Sequence, residues 1–212
     1  MLNWPFPPSM PAAIDTFVFD LGNVLIQWDP RNVYNKLFDK QVDMERFLAE
    51  VCNHAWNIQM DGGRPFADGI SELVERHPDK AALIRAYRDR WPEMLGGPIP
   101  GAVEILSQLH VDDRRLFALT NWSNETFPIA RGMYDFLNWF GYIAVSGELK
   151  MVKPDPAIFR HLIVACGVDP ARTLFIDDSL VNVQAAARLG FATHHFKRPS
   201  LLKAQLTDWG LI

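Results

Sequence analysis

Four places in this chain set polar side chains directly after a short apolar run. They are Asp20 after "IDTFVF", Thr120 with Asn121 closing "RLFALTN", Ser146 after "YIAV", and Asp177 with Asp178 after "TLFI". Solvent exposure of strand ends explains one or two such places, but it does not predict paired acids straight after an apolar run. Three carboxylates gathered at one edge repel one another and stay partly protonated unless a cation balances them. Oxygen-only ligands with few carboxylates suit Mg²⁺, which keeps several waters and shares its shell with a substrate phosphate; the plainer alternative is a solvated acidic loop. Lys153, in "KPDP", adds one positive group within reach of that edge, and it directly precedes the Pro-Asp-Pro that starts a helix, which fixes it better than Lys150. Thr120 and Asn121 offer a hydroxyl and an amide ahead of the helix expected in "SNETFPIARG", whose free N–H groups would complete an anion site for a phosphate or carboxylate.

These residues meet only if the elements carrying them are parallel. Five short apolar runs, the four above and "ATHHF", are continuous rather than alternating, as strands covered on both faces are, and helical stretches separate them. A doubly wound parallel α/β sheet of the Rossmann-like kind follows, and in such sheets ligands bind beyond the carboxyl ends of the strands. "DPAIFRHLIVACG" carries its own helix limits: Asp155 as N-cap, Pro156 in the first turn, Ile158, Phe159, Leu162, Ile163 and Cys166 on one face, Gly167 as the stop. "PGAVEILSQLH" and "SLVNVQAAARLG" behave alike, the latter with Val183, Ala186, Ala187 and Leu189 toward the core. The stretch from Asp29 to Gly97 holds no convincing strand. It reads as helices in "DPRNVYNKLFDKQVDMERFLAEV", in "RPFADGISELVERH" after a Gly62-Gly63 turn, and in "DKAALIRAYRDRW". The expected organisation is a Pro-rich arm over 1–13, a core from 14–29 and 98–212, and a small helical lid over 30–97 inserted after the first strand.

The composition narrows the partners. A chain of 212 residues, 49% hydrophobic, can bury a full core. A net charge of -4 with scattered basic residues gives no footprint for nucleic acid or an anionic membrane surface, so a small soluble partner is expected. Cys52 and Cys166 form neither a disulfide framework nor a zinc pattern and read as core thiols. No apolar run approaches the ~18 residues of a membrane span, and the opening "MLNWPFPPSMPAAID" lacks positive charge and is broken by prolines, so no signal peptide is read there. A cytoplasmic monomer or homodimer is expected, with Trp4 and Phe6 of the arm available to pack on a neighbouring chain.

Taken in order, "FVFDLGNVL", "LTNWS", "KPDP" and "FIDDS" resemble the four motifs of the haloacid dehalogenase superfamily, and the similarity runs from Asp15 nearly to the end. The resemblance implies a small helical cap of the first subfamily, which closes over the site and selects the substrate. It implies Asp20 as a nucleophile forming an aspartyl-phosphate that water hydrolyses. Mg²⁺ would be held by Asp20, the Gly22 carbonyl and Asp178, with Asp177 acting through water. Thr120 and Asn121 would hold phosphoryl oxygens, and Lys153 would neutralise charge between nucleophile and phosphate.

One position departs from the pattern. Phosphatases of this superfamily usually carry a second Asp two residues after the nucleophile, and here that residue is Gly22. A positioned acid or base is worth roughly 10²–10⁴-fold, so its loss should slow substrates with poor leaving groups without removing nucleophile or metal. Certain bacterial sugar-phosphate phosphatases are similar in carrying Asp-Leu-Gly-Asn, which makes a sugar 1-phosphate the first substrate class to try. A 2-haloacid dehalogenase, in which Asp20 attacks carbon and halide leaves without a proton, is the second reading. Such enzymes need no metal and typically place serine and asparagine where this chain has "IDDS". A binding module that kept the fold and lost the chemistry is the third.

Further side chains could border a substrate. Trp28, Trp56, Trp91 and Trp122 suit either a pocket wall or core packing, with Trp122 best placed beside Thr120 and Asn121. The six histidines show no metal spacing; His194 and His195 alternate across the last strand. His54 is a candidate to replace the absent acid, and the Gly-Gly turn in "QMDGGRPF" could present Asp61 or Arg64 to substrate, or be a plain turn.

Overall fold

The computed structural model describes residues 13–212, so the arm expected over 1–13 lies almost wholly outside the described residues. Strand β1, Thr16–Phe19, is buried along its whole length. Alternation along it sends Phe17 and Phe19 into one apolar cluster and Val18 into another, on the opposite face of the sheet. With β4 (Arg115–Thr120), β5 (Tyr142–Val145), β6 (Thr173–Asp177) and β7 (Ala192–His195) it forms a five-stranded sheet of order β5-β4-β1-β6-β7. Every pairing in it is parallel.

Both faces are covered, which is why the strands read as unbroken apolar runs. On one face lie α6 (Pro100–Val111), α7 (Phe127–Met133) and α11 (Pro199–Asp208), with Ala102, Leu106, Ala130 and Leu202 against Phe17 and Phe19. On the other lie α9 (Pro156–Cys166) and α10 (Leu180–Arg188), where Phe159 meets Phe175 edge-on at 5.3 Å. Each fully buried phenylalanine contributes about 1.5–3 kcal/mol. The doubly wound sheet expected from the sequence is present. Helix α9 starts and stops as its residues indicate: Asp155 accepts from the Ala157 N–H at 2.8 Å, and Gly167 ends it in the left-handed region. In α10 the inward set is Asn182, Val183, Ala185 and Ala186; Ala187 is exposed, contrary to expectation. Cys166 is only half-buried, so of the two thiols only Cys52 sits in the core.

Between the first strand and α6 comes the helical insert: α1 (Arg31–Tyr34), α2 (Gln41–Glu50), α3 (His54–Asp61), α4 (Phe66–Arg76) and α5 (Ala81–Asp89). Two features differ from expectation. The first helical stretch is broken, because the chain reverses after Phe38 so that Phe47 can stack back on Tyr34 at 5.1 Å. The ends of the insert also pair as an antiparallel ribbon, β2 (Ile26–Trp28) with β3 (Leu95–Pro98), where no strand was expected. The apolar cluster that includes Phe17 and Phe19 continues into the insert through aromatic side chains: Tyr87 meets Trp56 at 4.9 Å and 90°, and the Trp56 indole N–H donates to the Gly69 carbonyl at 3.1 Å. Trp56 is thus packing, not pocket wall. A short helix α8, Ser146–Leu149, follows β5 directly.

Candidate active site

The carboxyl edge of the sheet is where the polar residues converge. Asp20 extends the ladder past β1, its N–H donating to the Ile176 carbonyl at 2.8 Å, so the position of its side chain is set by the sheet. Its Oδ1 accepts from the Leu21 N–H at 2.7 Å and lies 3.0 Å from the Lys153 ammonium; Oδ2 has no partner among the described residues. A tight turn then leads into β2. Asn23 sits there at φ 55°, a conformation that asparagine tolerates better than other side-chain-bearing residues, and its Oδ1 accepts from the Trp28 N–H.

Lys153 is 3% exposed and all three of its donors are used: Asp20 at 3.0 Å, Asp177 Oδ2 at 2.7 Å and the Leu119 carbonyl at 2.8 Å. Lys150, by contrast, is exposed. Asp177 is fully buried, and both its oxygens are engaged by Lys153, the Ser179 N–H and the Asn182 amide. The half-buried Asp178 carboxylate is free of such bonds among the described residues; only its backbone carbonyl is taken, by His195 Nε2 at 2.9 Å. One oxygen from each of Asp20, Asp177 and Asp178 falls within 4.8 Å of the others. An all-oxygen set in which the Asp178 carboxylate makes no hydrogen bond to another described side chain fits a hard divalent cation, and the full occupation of Asp177 suits an indirect contact.

Electrostatics agree with that geometry. Burial raises the Asp20 carboxyl to about 7; Lys153 pulls it down, while Asp177 and Asp178 push it further up. Burial raises Asp178 as well, reinforced by Asp177. For Lys153 burial works toward a lower pKa, but Asp177 and Asp20 outweigh it and the ammonium is stabilised.

The Thr120–Trp122 segment is arranged differently from expectation. Thr120 is buried, and its hydroxyl has no partner among the described residues, which leaves it for a ligand oxygen. Asn121 spends its side chain on Lys153: Nδ2 donates to the Lys153 carbonyl at 3.0 Å and Oδ1 accepts from the Lys153 N–H at 2.8 Å. Its amide therefore fixes the lysine backbone with one N–H and its oxygen, and the second N–H remains beside the cavity that Asn121 borders. The helix expected to begin just after Asn121 begins only at Phe127, because Ser123 accepts the N–H groups of Thr126 and Phe127 in an intervening turn; its N-terminus adds no anion site here. The Trp122 N–H donates to the Ser146 hydroxyl at 2.8 Å, while its indole N–H is buried and unpartnered among the described residues. Ser146 is fully buried and donates in turn to the Asp61 carbonyl of the insert, so it braces the edge instead of facing ligand.

A cavity of about 620 Å³ opens above these groups. Asp20, Gly22, Thr120, Asn121, Lys153 and Asp178 border it, as do Trp28, Trp91 and Trp122, and His54, Asn57, Ile58 and Asp61 of α3 reach it from the insert. Trp91 and Trp122 lie 5.7 Å apart. Arg64 turns away, paired with Gln59 and Glu72.

Residues 14–190 match the haloacid dehalogenase-like hydrolases. The chain belongs to that family. The hydrolase is 32% identical to a drimenol cyclase of Aspergillus calidoustus over 92% of its own length, which spans 36% of that longer protein. It is 28% identical to a phosphoglycolate phosphatase of Thiobacillus denitrificans, covering 86% of this chain and 82% of the relative. Among solved structures it resembles a wild-type HAD family enzyme of Bacteroides thetaiotaomicron in complex with magnesium and inorganic phosphate, at 27% identity and a TM-score of 0.67 over 88% of this chain and 96% of the other. No helix of the hydrolase among the described residues is long and apolar enough to cross a membrane.

Helix α3 was the element that residue patterns left unread, and with it Asn57. Its signal was present: Asn53 caps it by accepting from the Trp56 N–H at 2.9 Å, and Trp56 and Met60 recur at helical spacing on its buried side.

Proposed function

We propose that this hydrolase is a Mg²⁺-dependent phosphatase of a small phosphorylated metabolite, acting through an aspartyl-phosphate on Asp20. One observation carries the reading: Asp20 has one oxygen held by Lys153 and the Leu21 N–H and the other unpaired, under a cavity that also receives the unpartnered Thr120 hydroxyl. The free Oδ2 attacks phosphorus while the ester oxygen leaves. Lys153 keeps Asp20 ionisable beside an incoming anion, and Thr120 donates to a phosphoryl oxygen. Asn121 holds the Lys153 backbone, and the Trp122 indole N–H is a donor for the organic part or the phosphate. Asp20, the Gly22 carbonyl and Asp178 would hold Mg²⁺, with Asp177 behind them. When bound, the ion neutralises charge on the phosphate and on the carboxylates.

Sugar phosphates are the first class to test, because ring faces stack on tryptophan and the cavity offers three such side chains. The acid pair at Asp177 and Asp178 supports phosphate over haloacid chemistry. The experiment is a panel of phosphate esters and haloacids, with Mg²⁺ or chelator, read as released phosphate and halide. Phosphate release that chelator abolishes supports the proposal. Halide release untouched by chelator overturns it in favour of a dehalogenase, and silence on the whole panel favours a binding module.

A further inference from the structure

We infer that Asp61, at the end of α3, is the acid and base that the glycine at position 22 does not supply. The inference rests on the phosphatase reading above and assigns its proton transfers.

Asp61 lines the same cavity as Asp20. Its placement is fixed by both halves of the molecule. The Asn57 amide, one turn earlier, donates to Asp61 Oδ2 at 2.9 Å. The Asp61 backbone carbonyl accepts from Ser146, which also receives the Trp122 N–H. The chain then turns through Gly63 at φ +91°, where an added Cβ would stand 2.6 Å from the Gly147 carbonyl. Gly147 in turn tolerates no side chain, since a Cβ there would come within 2.4 Å of the Asn124 nitrogen. Asp61 is therefore locked to the same Trp122–Asn124 segment that adjoins Thr120.

No cation among the described residues pairs with its carboxyl. Burial raises Asp61 to about 8, the Ser123 N–H opposes this, and the nearby Asp20 charge adds to it. At neutral pH it is thus largely a neutral acid able to donate. The other titratable groups near it are Tyr87 inside the insert and His54 on its own helix. His54 is the weaker candidate, being exposed with no hydrogen bond among the described residues to aim it.

The steps balance. As Asp20 Oδ2 bonds to phosphorus and the ester P–O bond breaks, the Asp61 proton passes to the departing alkoxide, releasing alcohol. The Asp61 carboxylate then takes a proton from water as the water oxygen bonds to phosphorus and the Asp20–phosphorus bond breaks. Inorganic phosphate leaves and Asp61 is protonated again.

The test compares Asp61→Asn with wild type, both Mg²⁺-loaded, on p-nitrophenyl phosphate and on a simple alkyl phosphate. The alkyl ester should lose roughly 10²–10⁴-fold in kcat/KM, whereas the first burst of p-nitrophenol should fall less than about 10-fold and phosphoenzyme should accumulate. A Cβ at position 22 would meet nothing within 4 Å, so Gly22→Asp in the Asp61→Asn background should recover roughly 10-fold or more on the alkyl ester. Equal losses on both esters, or no loss, overturn the assignment. If Asp61→Asn does not fold, Asn57→Ala carries the test, with a smaller loss confined to the alkyl ester expected and an equal loss on both overturning. A wild type that releases phosphate from neither ester overturns the phosphatase reading, and the role of Asp61 with it.

Discussion

The Lys153 ammonium lies 3.0 Å from Asp20 Oδ1, with both side chains almost wholly withdrawn from water. Asp177 completes the cluster from the other side at 2.7 Å. Removing one member of a buried ion pair strands the rest, at about 3–5 kcal/mol. Lys153→Ala should lower the urea midpoint by that equivalent with an unchanged slope, and abolish turnover. An unchanged midpoint would show that solvent, not the lysine, balances the carboxylates.

Asp20→Asn separates chemistry from folding. Turnover should fall on the order of 10³-fold or more, as loss of a nucleophile does. The melting temperature should hold or rise, because a neutral amide replaces a carboxyl whose ionisation burial opposes, while Lys153 keeps Asp177 as its charged partner at 2.7 Å. Activity near wild type would remove Asp20 from its proposed role.

The raised carboxyls predict how pH and metal act together. Asp20 titrates at about 7 and Asp61 at about 8 in the folded chain, against about 4 when unfolded. Between pH 4 and 8 the folded state therefore binds more protons than the unfolded state, so the metal-free protein loses stability as pH rises through that window; below pH 4 neither group contributes a slope. Mg²⁺ bound at Asp20 would oppose the loss by balancing its ionised carboxylate. Its benefit in thermal melts should be larger at pH 8 than at pH 5.5. At a hundredfold excess over Kd it is about 2.7 kcal/mol, roughly 5–10 °C for a chain of this size. Equal gains at both pH values would count against ion binding at the carboxylates.

Trp122→Phe removes an indole N–H that has no partner among the described residues. Stability should change little, within about 1 kcal/mol, since no internal hydrogen bond is broken. KM should rise about 2–10-fold with kcat less affected, the size of one hydrogen bond to substrate. A large loss of stability with unchanged KM would make Trp122 a packing residue alone.

How legible all this was depends on the range of the forces involved. The sheet was readable because parallel strands buried on both faces leave continuous apolar runs, and Asp20, Asp177 and Asp178 were readable because they follow those runs directly. Helix α9 announced itself through Asp155 and Gly167. The β2–β3 ribbon was not readable, since "LGGP" has no strand preference and pairs only because the fold returns it beside Ile26–Trp28. Nor could the chain show that the Asn121 amide is committed to Lys153, 32 residues on. Asp61 stood out in the sequence only by its Gly-Gly neighbour; its placement is set by the Asn57 amide on its carboxyl, Ser146 on its carbonyl and the close approach of Gly63 to Gly147.

The β2–β3 ribbon has a consequence for how such a protein changes over time. Both crossings between sheet and insert run side by side, Trp28 opposite Leu95, so the whole insert is bounded by one paired splice point. Exchanging everything beyond it would leave the nucleophile, the lysine and the acid pair untouched while replacing the roof of the cavity. It would also carry away Asp61. On the proposed roles, substrate choice and proton supply are inherited as one cassette, and a new roof must bring its own acid or act on esters that need none.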